Sequence, residues 1–109
     1  MTEYHYETDT RKYFAKLGGL NKDLMASFGA FNSKAFEEGT LSVKTKELIA
    51  VAAAHITRCP YCIAGHTRRA KQAGCTEQEI AEAIFVAVAM SAGASMAHSS
   101  IAMKALEDK

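Results

Sequence analysis

The chain has 109 residues, 49% hydrophobic and 23% charged, with a formal net charge of +1. A chain of this size buries roughly two thirds of its unfolded surface, so the profile fits one folded domain over residues 1–109 with a modest core and excludes a disordered chain. Thirteen basic against twelve acidic residues leave no basic excess for nucleic acid or an anionic membrane surface. Alanine, the strongest helix former, makes up about a fifth of the chain. The expectation is an all-α fold.

The N-terminal Met-Thr-Glu-Tyr-His-Tyr-Glu has neither a basic nor an apolar stretch and predicts no signal peptide. Asp9 to Leu17 predicts a short helix, capped by Asp9 or Thr10 and stopped at Gly18-Gly19. Asn21 to Glu38 places Leu24, Phe28, Phe31, Ala35 and Phe36 at helical spacing, and Gly39 is expected to end it. Ser42 can cap a third helix through about Thr57. Proline is welcome only in the first turn of a helix, so Cys59 reads as a cap and Pro60 as the first residue of a helix to about Ala73, with Gly74 as its stop. Thr76-Glu77-Gln78-Glu79 is a capping box opening a long helix, expected to bend near Gly93 and resume to about Leu106. No segment shows sustained strand alternation, so the prediction is a compact domain of five or six helices.

Ala83 to Met103 carries no charge and is long enough to raise the question of a membrane span. Only Ala83 to Met90 is continuously apolar; Ser91, Gly93, Ser95, His98, Ser99 and Ser100 follow, which reads better as a helix packed closely through small residues. From Ile80 to Met103 the pattern is apolar around most of the circumference. One small subunit cannot cover every face of such a helix, so a homo-oligomer is expected and no membrane.

The three cysteines are Cys59, Cys62 and Cys75. An odd count with one close pair is not a secreted disulfide framework; it suggests a cytoplasmic chain with redox or metal chemistry. Cys59 and Cys62 stand three apart at a helix start, where the two sulfurs can reach disulfide distance. Unpaired N–H groups and the helix dipole favour a thiolate there. His66, four residues after Cys62, shares its face and is placed to take the Cys62 proton or stabilise the thiolate. If the two helices form a hairpin, Glu47 can reach His66 and orient it as the third member of a triad does. His55 sits at the edge of the same site.

Other readings of these residues stay open. Cys59, Cys62, His66 and His55 could bind zinc, although structural zinc commonly takes a second separated pair. Covalent haem attachment needs a histidine where Ile63 stands, and a thioredoxin-like domain needs a βαβ context. A non-catalytic redox-sensing module would keep the same cysteine pair. His98 reads as a buried, hydrogen-bonded histidine or as a pocket residue, and Cys75 as a packed thiol. Arg68, Arg69 and Lys71 read as a solvated helix face, with contact to an acidic redox partner as the alternative.

The pattern Glu-x11-Cys-x2-Cys-x3-His, here Glu47, Cys59, Cys62 and His66, resembles the core motif of the alkylhydroperoxidase D-like branch of the carboxymuconolactone decarboxylase family. The text from Glu47 to His66 and on through Thr67 to Gly74 is also similar to that family, and the likeness covers about residues 20–106. The resemblance implies the family's all-helical fold, assembled as a homo-trimer or homo-hexamer. It implies thiol-dependent reduction of a hydroperoxide. Cys62 would attack the peroxide and become a sulfenic acid, and Cys59 would resolve it to a disulfide. His66 and Glu47 would relay protons, and an external dithiol protein would reduce the disulfide, with no metal or other cofactor. Some members have a histidine directly before the second cysteine, where this chain has Tyr61; that tyrosine would donate a hydrogen bond or wall the pocket. The decarboxylase branch generally lacks the cysteine pair.

Overall fold

The computed structural model describes residues 10–108, with five helices in chain order: α1 (Arg11–Leu20), α2 (Lys22–Phe36), α3 (Val43–Thr57), α4 (Pro60–Gln72) and α5 (Glu77–Ala105). Among the described residues there is no strand. Contacts group the chain into two compact units, one holding α1 and α2, the other running from Glu38 through α3, α4 and α5.

In the first unit, α1 continues through Gly18 and Gly19, where the sequence predicted a stop. Neither glycine takes a positive φ. A Cβ at Gly18 would lie 3.0 Å from Met25 Cγ, so glycine there lets α2 approach closely. The break falls instead at Asn21, with φ −150° and ψ 85°. Its side-chain oxygen accepts from the Leu24 N–H at 3.1 Å and so caps α2. Asp9 lies outside the described residues, and Thr10 precedes α1 without a side-chain cap bond. The second helix ends at Phe36, short of Glu38, because Glu37 turns extended; Gly39 keeps a negative φ and is not a left-handed stop. Neither α1 nor α2 buries a residue. Phe14, Leu17, Asn21, Leu24, Met25 and Phe28 line an apolar groove of about 470 Å³ within this unit.

In the second unit, Ser42 Oγ accepts from the Thr45 N–H at 3.1 Å and starts α3 as expected. This helix ends at Arg58, a non-glycine residue in the left-handed region (φ 61°, ψ 39°). The Cys59 N–H closes back on the Ala54 carbonyl at 3.3 Å, the long bond of a Schellman-type ending. Extended Cys59 and Pro60 then open α4 at once. Two residues thus reverse the chain, and α4 packs back on α3. Gly74, with φ 99°, ends the α4 segment where an L side chain would be strained. At Thr76 the capping box is complete: Thr76 Oγ1 accepts from the Glu79 N–H at 3.1 Å, and Glu79 Oε1 accepts from the Thr76 N–H at 2.8 Å.

The core of this unit is Val51, Ala70, Cys75 and Ile80, with Leu48 and Ile84 packed on it. It ties α3 to α4 and α5 at one end of α5. From Val88 to Asp108 every residue is exposed, among them Met90, Met96, Ile101 and Met103. By length and composition α5 is apolar enough to cross a membrane. It is continuous through Gly93, where the sequence predicted a bend. A Cβ at Gly93 would meet nothing within 4 Å, so no close neighbour forces the backbone aside, and the flanking alanines favour helix.

Replacing Thr76 with Ala removes one half of the capping box and is expected to lower stability by about 1 kcal/mol. Urea unfolding of the two proteins should show a lower midpoint at unchanged slope.

Candidate functional site

The short α3–α4 turn sets Glu47 and His66 side by side. Glu47 is one helical turn before the core residue Val51, and His66 is one turn before Ala70. Both therefore point into the α3–α4 seam. His66 Nδ1 donates to Glu47 Oε1 at 2.7 Å, with the two side chains 16% and 6% exposed. A carboxylate only accepts, so this bond places the imidazole proton on Nδ1 and leaves Nε2 as the basic nitrogen.

Cys62, one turn before His66 on the same face of α4, is exposed, and Cys59 is partly exposed. Both are free thiols. As the cap of α4, Cys59 Sγ accepts from the Cys62 N–H at 3.2 Å. The Cys62 thiol also donates to it, and this hydrogen bond is the main reason the Cys59 thiol sits below the ordinary value; the N–H groups of Cys62 and Tyr61 add to it. The same thiol bond pushes Cys62 up, helped by burial and by the charge on Cys59, while Arg69 works the other way. The reduced pair thus releases a proton from Cys59 more readily than from Cys62.

His55 Nδ1 donates to the Val51 carbonyl at 2.7 Å, a bond back along its own helix. Tyr61, in the first turn of α4, is 38% exposed. His98 is exposed on the second half of α5, and its side chain makes no hydrogen bond to a described residue. This corrects the expectation of a buried, hydrogen-bonded histidine: within its unit, α3 and α4 pack on the first half of α5 and leave Val88 onward exposed. Cys75 is a packed thiol, 4% exposed, directed at the Lys44 carbonyl at 3.7 Å, and burial pushes its thiol up. Among the described residues no three His, Cys, Asp or Glu side chains converge as a metal ion needs. Arg58 escaped the sequence reading, because a left-handed helix end leaves no trace in composition. Arg69 was read only as part of a solvated face or a partner contact, although its action on Cys62 was legible in their separation of two helical turns.

The profile of the carboxymuconolactone decarboxylase family matches residues 22–105. The chain belongs to the carboxymuconolactone decarboxylase family. It is 46% identical over 82 residues to uncharacterized protein 4 in the cox locus of Paracoccus denitrificans, covering 75% of this chain and 74% of that one. An uncharacterized protein of Cupriavidus necator is 30% identical over 96 residues, covering 88% and 85%. The crystal structure of an apo carboxymuconolactone decarboxylase family protein from Legionella pneumophila superposes with a TM-score of 0.72 at 34% identity, covering 92% of this chain and 89% of that one. A protein from Methanobacterium thermoautotrophicum gives the same TM-score at 36% identity over 76% and 93%. The cysteine motif is consistent with the alkylhydroperoxidase D-like branch of this family.

The charge distribution in the cysteine pair gives a pH signature. Alkylation of Cys59 by iodoacetamide should rise with pH to a midpoint below that of an ordinary thiol. Cys62→Ala removes the thiol donor and should move that midpoint upward. Rates read by peptide mass spectrometry over pH 5–10 check both.

Proposed function

We propose that this protein is a thiol-dependent peroxidase and disulfide oxidoreductase that reduces organic hydroperoxides through the Cys59–Cys62 pair. The observation that carries the reading is the buried Glu47–His66 hydrogen bond at 2.7 Å, one turn along α4 from Cys62. A histidine oriented this way can carry a proton for a thiol that gives up its own less readily than an ordinary cysteine.

In the first step His66 Nε2 takes the Cys62 proton, and the Cys62 sulfur attacks the terminal peroxide oxygen. The O–O bond breaks, the alkoxide leaves as an alcohol with the proton returned by His66, and Cys62 becomes a sulfenic acid. Cys59, already favoured as a thiolate by its cap bonds, then attacks the Cys62 sulfur. The S–O bond breaks, hydroxide takes a proton and leaves as water, and a disulfide joins the pair. The balance is two thiols and one hydroperoxide to one disulfide, one alcohol and one water. A dithiol protein returns the two electrons and two protons, which suits a reducing compartment such as the cytoplasm.

The lowered pKa of the Cys59 thiol favours a second reading, in which Cys59 attacks the peroxide and Cys62 resolves. Single variants separate the two. With Cys62 as the attacking residue, Cys59→Ser consumes one equivalent of cumene hydroperoxide and accumulates a dimedone-trappable sulfenic acid, while Cys62→Ser does not react. The opposite pattern assigns attack to Cys59. His66→Ala should slow oxidation by about 100-fold. With reductant present the wild-type protein should turn over repeatedly, whereas a sensing module would oxidise once and persist. No peroxide-dependent loss of thiols in the wild-type protein would defeat the reading.

The working form is a homo-oligomer, a trimer or hexamer. The charge-free stretch from Ala83 to Met103 exposes Phe85, Val86, Val88, Met90, Met96, Ile101 and Met103, and such a surface is matched best by an equally apolar one, which a second copy supplies. Light scattering should give a mass several times 11.8 kDa, and Val88→Glu with Met96→Glu should lower it.

A further inference from the structure

From Leu48 to Thr76 the chain has no aspartate or glutamate, yet it carries Arg58, Arg68, Arg69 and Lys71. The whole chain nearly balances its charges, so the segment that presents the cysteine pair concentrates positive charge that other segments offset. All four cations are exposed. Lys71 meets Glu77 at 3.8 Å, but Arg58, Arg68 and Arg69 form no ion pair with any described residue. Arg69 lies two turns after Cys62 on the same face of α4, and its charge reaches the Cys62 sulfur. Arg58 immediately precedes Cys59 at the α3–α4 turn.

Unpaired guanidinium groups beside an exposed, redox-reactive sulfur form an electropositive field that draws in and orients an anionic partner. The extent of the field selects the kind of partner. Pro60 to Lys71 spans roughly 17 Å of helix, more than a small anion covers and comparable to part of a protein footprint.

We propose that the α4 face carrying Cys62 and Arg69, with Arg58 and Arg68 beside it, docks an acidic dithiol protein that reduces the Cys59–Cys62 disulfide. The proposal rests on the redox-pair reading above. The partner's thiolate attacks the exposed Cys62 sulfur, the S–S bond breaks, and Cys59 leaves as a thiolate held by the Cys62 N–H. The partner's second thiol, losing its proton, then displaces Cys62, which takes up a proton. The partner ends as a disulfide, and two electrons and one proton have passed to the pair, with Cys59 left as the thiolate.

The test starts from full-length protein oxidised with diamide, so that it does not depend on peroxide. Three reductants are compared: dithiothreitol, a Cys-Gly-Pro-Cys peptide flanked by glutamates, and the same peptide flanked by lysines. Each peptide rate is normalised to its rate with neutral 2,2′-dithiodipyridine. The expected result is an acidic-over-basic preference of about tenfold at low salt, falling toward unity near 0.5 M salt. The double reversal Arg68→Glu with Arg69→Glu should abolish or invert that preference. Equal normalised rates for the two peptides, or a preference untouched by salt and by the reversal, would overturn the docking proposal while dithiothreitol still reduces the pair. If diamide produces no disulfide that dithiothreitol can reduce, the redox-pair reading fails, and the docking proposal with it.

Discussion

A carboxylate taken out of water is costly unless its oxygens are occupied by good donors, and Glu47 is the one buried charged side chain among the described residues. Its partner is His66, contributed by the next helix, at 2.7 Å. That bond constrains much around it. It needs α3 and α4 to lie against each other in one register, which the Arg58–Cys59 reversal enforces. It fixes which imidazole nitrogen carries the proton. It also sits one turn from Val51 and Ala70, so the packing that excludes water from the core shields this hydrogen bond as well. Stability and chemistry share the same seam between two helices.

The cysteine pair shows how a local helix rule becomes chemistry. Proline at the first position of α4 makes Cys59 the cap, and a cap must accept an N–H. In most helices an oxygen does this; here a sulfur does, and accepting that bond favours its ionised form. The second thiol, three residues on, is held in the complementary state as donor. The two cysteines therefore differ in the reduced protein, Cys59 losing its proton more readily and Cys62 less readily than an ordinary thiol.

The two units differ in how completely they close. The second has a small core built from short side chains around Val51, and even there the far half of α5 stays uncovered. The first buries none of its helical residues and presents a carbon-lined groove. Both units therefore leave apolar side chains in contact with water, which penalises them.

Much of this was legible in the residues. Ser42, the Cys59-Pro60 start, the Thr76 capping box and the Gly74 stop all depend on bonds or dihedral angles within a few residues, so local chemistry determines them. The grouping of Glu47, Cys59, Cys62 and His66 was likewise determined by helical period plus a short turn. Glycine misled where its meaning is not local: Gly18 answers to Met25 on another helix, and Gly93 has no close neighbour to answer to. His98 misled for the same reason, since its burial depends on what covers α5. Only the tertiary structure decided that Glu47 is buried against His66, that Cys59 loses its proton more readily than Cys62, and that Arg58, Arg68 and Arg69 form no ion pair with any described carboxylate. Those outcomes turn on distances between groups far apart in the chain or on competing hydrogen bonds, which a linear pattern does not encode.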